Sequence, residues 1–112
     1  MRKRWFHIVL VEKDFTVEVR DRLCSSHFIH KWAYVRHIDA DMCPHYHVYV
    51  EFGCSAYEGA FLAEKLGIEE HSVFPAFGRR RTFLEYLNRM NESKIVSNFN
   101  IPDYIEFLTH CG

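Results

Sequence analysis

The sequence predicts an α+β fold, in which an antiparallel sheet of four or five strands is flanked by helices. Three runs rich in β-branched and aromatic residues predict strands at residues 5–12, 32–38 and 45–52. Apolar residues at helical spacing predict a helix at 79–91. Only the turn at 39–44 separates the second strand from the third, so we expect these two to pair as an antiparallel hairpin.

The remaining elements complete the order β-α-β-β-α-β-α-α. Beyond the elements above, we predict helices at 15–26, 55–66 and 102–110 and a weak strand at 72–76. Ser55 and Glu58 have the spacing of a capping box, Pro75 is typical of an edge strand, and Pro102 suits the first turn of a helix. This order is close to a split β-α-β arrangement with the helices largely on one face.

Length and composition limit the possible functions. A chain of 112 residues with 48% apolar content is enough for one packed domain, which we place at residues 1–112. No apolar run approaches the ~20 residues that span a bilayer, so we expect no membrane partner. The net charge of −1 argues against a uniformly basic nucleic-acid binder, but basic residues cluster at 2–4 and 79–81 and can bind phosphate locally.

The four cysteines form no C-x-x-C pair and suggest no disulfide framework. Together with the lack of a recognisable secretory signal, this predicts reduced thiols and a cytoplasmic location. Cys24 and Cys54 have apolar neighbours and are predicted to lie in or near the core.

A possible metal site begins at the third strand. Strand alternation places His45, His47, Tyr49 and Glu51 on one face, which we expect to be the open face of the sheet. Neutral imidazole is a common ligand of divalent metals, so His45 and His47 are candidate ligands. The alternative is that they are ordinary polar positions on a half-buried strand.

The neighbouring hairpin residues extend this site. Antiparallel pairing would bring His37 and either Asp39 or Asp41 close to the histidine pair, and mixed imidazole and carboxylate ligands suit Mn²⁺ or Mg²⁺. Both acids can also be simple turn residues. A weaker alternative is a zinc site that includes Cys43.

The helix at 79–91 carries a second set of candidate residues. Tyr86 lies beside its apolar stripe and can act as a nucleophile towards a phosphodiester, with Arg89 and Thr82 near the same face. Arg79, Arg80 and Arg81 open the helix, and guanidinium groups at a helix N-terminus favour phosphate. Tyr49 would offer a stacking surface to a base of single-stranded DNA.

These motifs resemble those of the HUH endonucleases, and most closely the plasmid rolling-circle replication initiators (Rep proteins) with one catalytic tyrosine. The resemblance rests on the order and spacing of the segments at 5–12, 33–41, 44–48, 85–89 and 95–101. It covers nearly the whole chain and implies the ferredoxin-like, RRM-like sandwich of that superfamily.

The resemblance implies a metal-dependent, sequence-specific nickase and strand transferase for single-stranded or hairpin origin DNA. By position, it implies that Tyr86 is the nucleophile that joins the 5′ phosphate and that His45 and His47 bind Mn²⁺ or Mg²⁺. His37 and Asp41 are the expected further ligands, with Asp39 in reserve because the turn is one residue out of step with the family pattern. Arg89 stands where that pattern has a histidine.

Three other functions stay open at this stage. One is a single-tyrosine transposase of the same superfamily, and another is a catalytically silent, RRM-like module that binds single-stranded nucleic acid. The third is a structural domain with surface histidines. These 112 residues contain no recognisable helicase or oligomerisation region, so we expect a domain of a longer protein, which could form oligomers through other regions.

Overall fold

The α+β class predicted from the sequence is confirmed in a computed structural model, which describes residues 2–38, 43–75, 78–89 and 94–111. The strands are β1 (Arg2–Lys3), β2 (Trp5–Val11), β3 (Ile29–Ile38), β4 (Pro44–Phe52), β5 (Tyr57–Glu58), β6 (Val73–Pro75) and β7 (Val96–Ser97). The helices are α1 (Val17–Ser25), α2 (Gly59–Leu66), α3 (Arg80–Arg89) and α4 (Ile101–Cys111).

The central sheet is antiparallel and has the strand order β6-β2-β4-β3-β7. The predicted hairpin between β3 and β4 is present, and His37 lies directly opposite His45 in its register. Strand β2 pairs with the other side of β4, which makes β4 the middle strand. Strand β6, which ends at Pro75, lies at an edge as expected for a residue without an amide hydrogen.

Helices cover both faces of this sheet. On one face, α1 and α2 pack on a core formed by Phe6, Ile8, Leu10, Val19, Leu23, Ile29, Val48, Val50, Phe52, Leu62, Ala63, Leu66 and Val73. On the other face, α3 and α4 pack on a smaller cluster formed by Trp5, Ala33, Val35, Tyr49, Leu84, Leu87 and Ile101. The histidines of β4 belong to this second face, because they alternate with Val48 and Val50.

The prediction of helices largely on one face is therefore wrong, and the second face is only partly open. Its residues Trp5, Ala33, Val35 and Tyr49 are apolar enough to require a cover, which α3 and α4 provide.

Two local predictions are also wrong. The proposed capping box does not form, because Tyr57–Glu58 pairs with Arg2–Lys3 and α2 begins only at Gly59. Cys24 and Cys54 are exposed free thiols, since Val19 and Leu23 are the α1 residues that enter the core and Cys54 follows the end of β4. Within the described ranges, no helix is both long and apolar enough to cross a membrane.

We predict that Gly67→Ala lowers the free energy of unfolding by about 1–2 kcal/mol, because Gly67 ends α2 with φ +75°. An added Cβ would also lie 2.1 Å from Nη1 of Arg22 and displace it. Urea denaturation measures the change. Gly53→Ala is the control, since its nearest neighbour is Cβ of His30 at 4.0 Å; equal losses in both variants would contradict this account.

Candidate metal and tyrosine site

The structure brings His45 and His47 together at the start of β4, as predicted. Their Nε2 atoms are 3.1 Å apart, and His47 is buried with 8% of its surface exposed. Nδ1 of His45 lies 3.1 Å from the backbone carbonyl oxygen of Cys43. A carbonyl oxygen only accepts, so Nδ1 of His45 carries a proton, and in the neutral ring Nε2 presents its lone pair towards His47.

The separation of the two Nε2 atoms fits a shared divalent cation. Two nitrogens that bind one octahedral cation at about 2.1 Å, at a right angle to each other, lie about 3.0 Å apart. The observed 3.1 Å matches that distance, and both rings come from a rigid central strand. The pair is therefore suited to hold a metal, although two imidazoles alone do not complete a coordination shell.

His37 joins the pair, whereas the predicted carboxylate ligands cannot be placed. The His37 ring centroid lies 5.2 Å from that of His45 and 5.8 Å from that of His47. Asp39 and Asp41 lie outside the described residues. In the described part of the chain, no group of three or more histidine, cysteine or acidic side chains is placed so that it could hold a metal ion.

A fourth histidine, His7, contacts the pair and was missed by the sequence analysis. Its Nε2 lies 2.9 Å from Nδ1 of His47, and the two rings stack with centroids 5.1 Å apart. His7 is opposite Tyr49 in the register of β2 and β4, which makes it a diagonal neighbour of His47 on the same face. The alternation of β2 gives the face of His7, but only the pairing of β2 with β4 shows what it contacts.

Burial keeps the imidazoles of His7 and His47 neutral. It lowers the pKa of His7 to about 4, and it lowers the pKa of His47 to about 4 with a smaller effect from the surrounding His7, His45 and His37 rings. Near pH 7 both rings therefore hold one proton each. A neutral imidazole has one donor and one acceptor, and the acceptor nitrogen can bind a metal.

Tyr86 lies next to this cluster on α3. Leu84 and Leu87 turn into the core, while Tyr86 stays 45% exposed, as expected for a residue beside the apolar stripe. Its ring centroid is 6.2 Å from that of His47, and the two rings are nearly perpendicular. The structure thus places Tyr86, the predicted nucleophile, next to His47, one of the predicted metal ligands.

A cavity of about 590 Å³ opens beside Tyr86. It is lined by Gly78, Arg79, Thr82, Phe83, Tyr86 and Arg89. Arg79 and Arg89 are exposed, and Nε of Arg89 donates to the carbonyl oxygen of Glu85 in its own helix, at 3.4 Å. Two guanidinium groups and a phenol around one cavity suit a phosphate of an extended nucleic acid.

The other end of the same β4 face anchors α3 through a buried carboxylate. Glu51, with 5% of its surface exposed, accepts hydrogen bonds from the hydroxyls of Tyr49 (2.5 Å) and Tyr104 (2.8 and 2.9 Å). Nη1 of Arg80 lies 3.1 Å from Glu51 Oε1, and Nζ of Lys31 lies 4.0 Å from Oε2. We call these five residues the Glu51 cluster.

The Glu51 cluster changes the interpretation of two predicted DNA contacts. Tyr49 is fully buried under α3 and α4, so it has no exposed face on which a base could stack, and that prediction is wrong. Burial and the Glu51 carboxylate raise the pKa of Tyr49. Arg80 is bound to Glu51 and Arg81 lies 3.4 Å from Glu85, so Arg79 is the member of the trio with no ion pair among the described residues.

We predict that Glu51→Gln lowers the free energy of unfolding by about 2–4 kcal/mol, because it leaves Arg80 and the hydroxyls of Tyr49 and Tyr104 around a neutral group. The matched control is Glu12→Gln. Glu12 pairs with Arg36 at 2.6 Å, but both side chains are more than 40% exposed, so water screens the pair and we expect a much smaller loss than in Glu51→Gln. Chemical denaturation at pH 7 compares the two, and a larger loss in Glu12→Gln would contradict the assignment.

Comparison with known proteins leaves the family open. No protein-family model matches the sequence, and no curated protein shows significant similarity to it.

Proposed function

We propose that this chain is an HUH-type endonuclease domain that nicks single-stranded DNA through a covalent tyrosyl intermediate and so initiates rolling-circle replication. The observation that carries the proposal is the position of Tyr86. Its exposed ring lies 6.2 Å from the ring of His47, whose Nε2 is 3.1 Å from that of His45. A nucleophile beside a pair of metal-competent imidazoles is the arrangement that this reaction needs.

His45 and His47 would hold Mn²⁺ or Mg²⁺, with His37 and Asp41, or Asp39, as further ligands. When bound, the metal would polarise a phosphate oxygen and offset the negative charge that develops there. The spacing of the two Nε2 atoms supports this assignment. The neutral state of His47 supports it as well, because an imidazolium ring, protonated on both nitrogens, has no lone pair for a metal.

In the proposed step, the phenolic oxygen of Tyr86 attacks the phosphorus and the bond to the 3′ oxygen breaks. The phenol loses its proton, the 3′ oxygen gains one, and the 5′ phosphate stays joined to Tyr86. Attack by a 3′ hydroxyl reverses the step and completes strand transfer. Arg89 and Arg79, which line the cavity beside Tyr86, would bind the phosphate and its neighbour.

The burial of Tyr49 favours this function over a silent, RRM-like module. Such a module stacks bases on exposed aromatic residues of its sheet. Here α3 and α4 cover the aromatic part of that face, namely Trp5 and Tyr49, and the histidine end lies next to Tyr86. The proposed partner is single-stranded or hairpin origin DNA in the cytoplasm.

We predict that Tyr86→Phe abolishes formation of a covalent protein–DNA adduct. The probe is a pool of single-stranded oligonucleotides with a randomised centre, incubated with Mn²⁺ and separated on a denaturing gel. A 3′ label should move with the protein and a 5′ label should not, because Tyr86 keeps the 5′ phosphate of the downstream fragment.

Tyr57→Phe is the control for this experiment, since Tyr57 packs on the opposite face of the sheet and should leave the adduct unchanged. Metal-independent binding without an adduct in the wild-type protein would favour the silent module and overturn the proposal.

We predict that His47→Ala lowers the cleavage rate at least about 100-fold, since metal stabilisation of the transition state supplies several kcal/mol. Binding of the uncleaved oligonucleotide should change little, as measured by fluorescence anisotropy. His27→Ala, which removes an exposed histidine from the turn before β3, is the control. Full cleavage by His47→Ala would refute the metal assignment.

A further inference from the structure

His7 contacts His47, the inner member of the proposed metal-binding pair of His45 and His47. Its Nε2 is 2.9 Å from Nδ1 of His47, on the side of that ring away from His45. The His7 ring is held by Phe83 and Phe74, with centroid distances of 4.5 and 5.9 Å. His7 therefore offers a fixed nitrogen at the position where the outer hydrogen bond of a metal-binding imidazole is usually made.

The hydrogen bonds of the three rings form a chain with one direction when no metal is bound. Nδ1 of His45 donates to the carbonyl oxygen of Cys43, so its Nε2 must accept from Nε2 of His47. Neutral His47 then has its acceptor at Nδ1, which accepts a hydrogen bond from the Nε2–H of His7. Every nitrogen in these contacts has a partner in this arrangement.

A cation bound to both Nε2 atoms requires the opposite arrangement at His47. Nε2 must then offer its lone pair, so the proton of His47 lies on Nδ1 and needs an acceptor. Nε2 of His7 can accept it once the proton of His7 has moved to its own Nδ1. His7 and His47 each keep one proton, so this is a change of tautomer and not of charge.

We propose that His7 is a positioning residue that allows His47 to exchange tautomers. Without metal, the Nε2–H of His47 donates to Nε2 of His45; with metal, Nε2 of His47 offers its lone pair to the divalent cation. This inference rests on the metal pair of the proposed function. His7 would therefore raise the affinity for the metal even though its own nitrogens would not touch the metal.

Substitutions at His7 separate the acceptor from the shape of the ring. His7→Phe keeps an aromatic ring between Phe74 and Phe83. It leaves the Nδ1–H of metal-bound His47 without an acceptor, and a buried N–H without a partner costs more free energy than a buried lone pair without one. His7→Gln is the matched control, because its amide can donate or accept at about the position of the histidine Nε2.

Isothermal titration with Mn²⁺ alone should show binding by the wild-type protein and by His7→Gln within about 3-fold of it, and about 10–100-fold weaker binding by His7→Phe. Circular dichroism checks that both variants are folded. Equal affinity of His7→Phe and wild type, or equal loss in both variants, would overturn the role of His7. Absence of Mn²⁺ binding by the wild type would instead overturn the metal pair, and the inference with it.

A measurement on the unaltered protein tests the tautomer change directly. Nitrogen-15 NMR of labelled histidines should show the Nε2–H tautomer of His47 in the metal-free protein and the Nδ1–H tautomer after addition of Zn²⁺, a diamagnetic substitute. The same tautomer of His47 in both states would contradict the inference.

Discussion

The alternation of side chains along β4 is the constraint on which the rest of the structure depends. It places His45, His47, Tyr49 and Glu51 in one row on a strand that has partners on both sides. The first two residues form the imidazole pair, and the last two form part of the buried cluster that holds α3 and α4. One strand thus sets both the position of the proposed metal and the position of the helix that presents Tyr86.

The two different halves of this row, histidines first and then Tyr49 and Glu51, explain why the face is only partly covered. An entirely open face would leave Trp5, Ala33 and Val35 in water, whereas an entirely closed face would exclude a substrate. Helix α3 resolves the conflict, because Leu84 and Leu87 pack on the apolar part while Tyr86 remains exposed beside His47. The contact between Arg80 and Glu51 then fixes the start of this helix.

The elements with local signals could be predicted from the sequence, and those that depend on distant pairing could not. The period of two along β4 predicts its two faces, and the short turn predicts that His37 meets His45. His7 was missed because β2 pairs with β4 across some 40 residues, and no turn fixes that register. The buried state of Tyr49 was missed for a related reason, since its cover comes from α3 and α4, which follow β4 in the chain.

The most direct test of this account is a crystal structure of the protein with Mn²⁺, analysed by anomalous scattering. The account predicts an anomalous peak within coordination distance of Nε2 of both His45 and His47, on the side of the pair that faces Tyr86. Mn²⁺ bound elsewhere, with no anomalous peak beside Nε2 of His45 and His47, would contradict it.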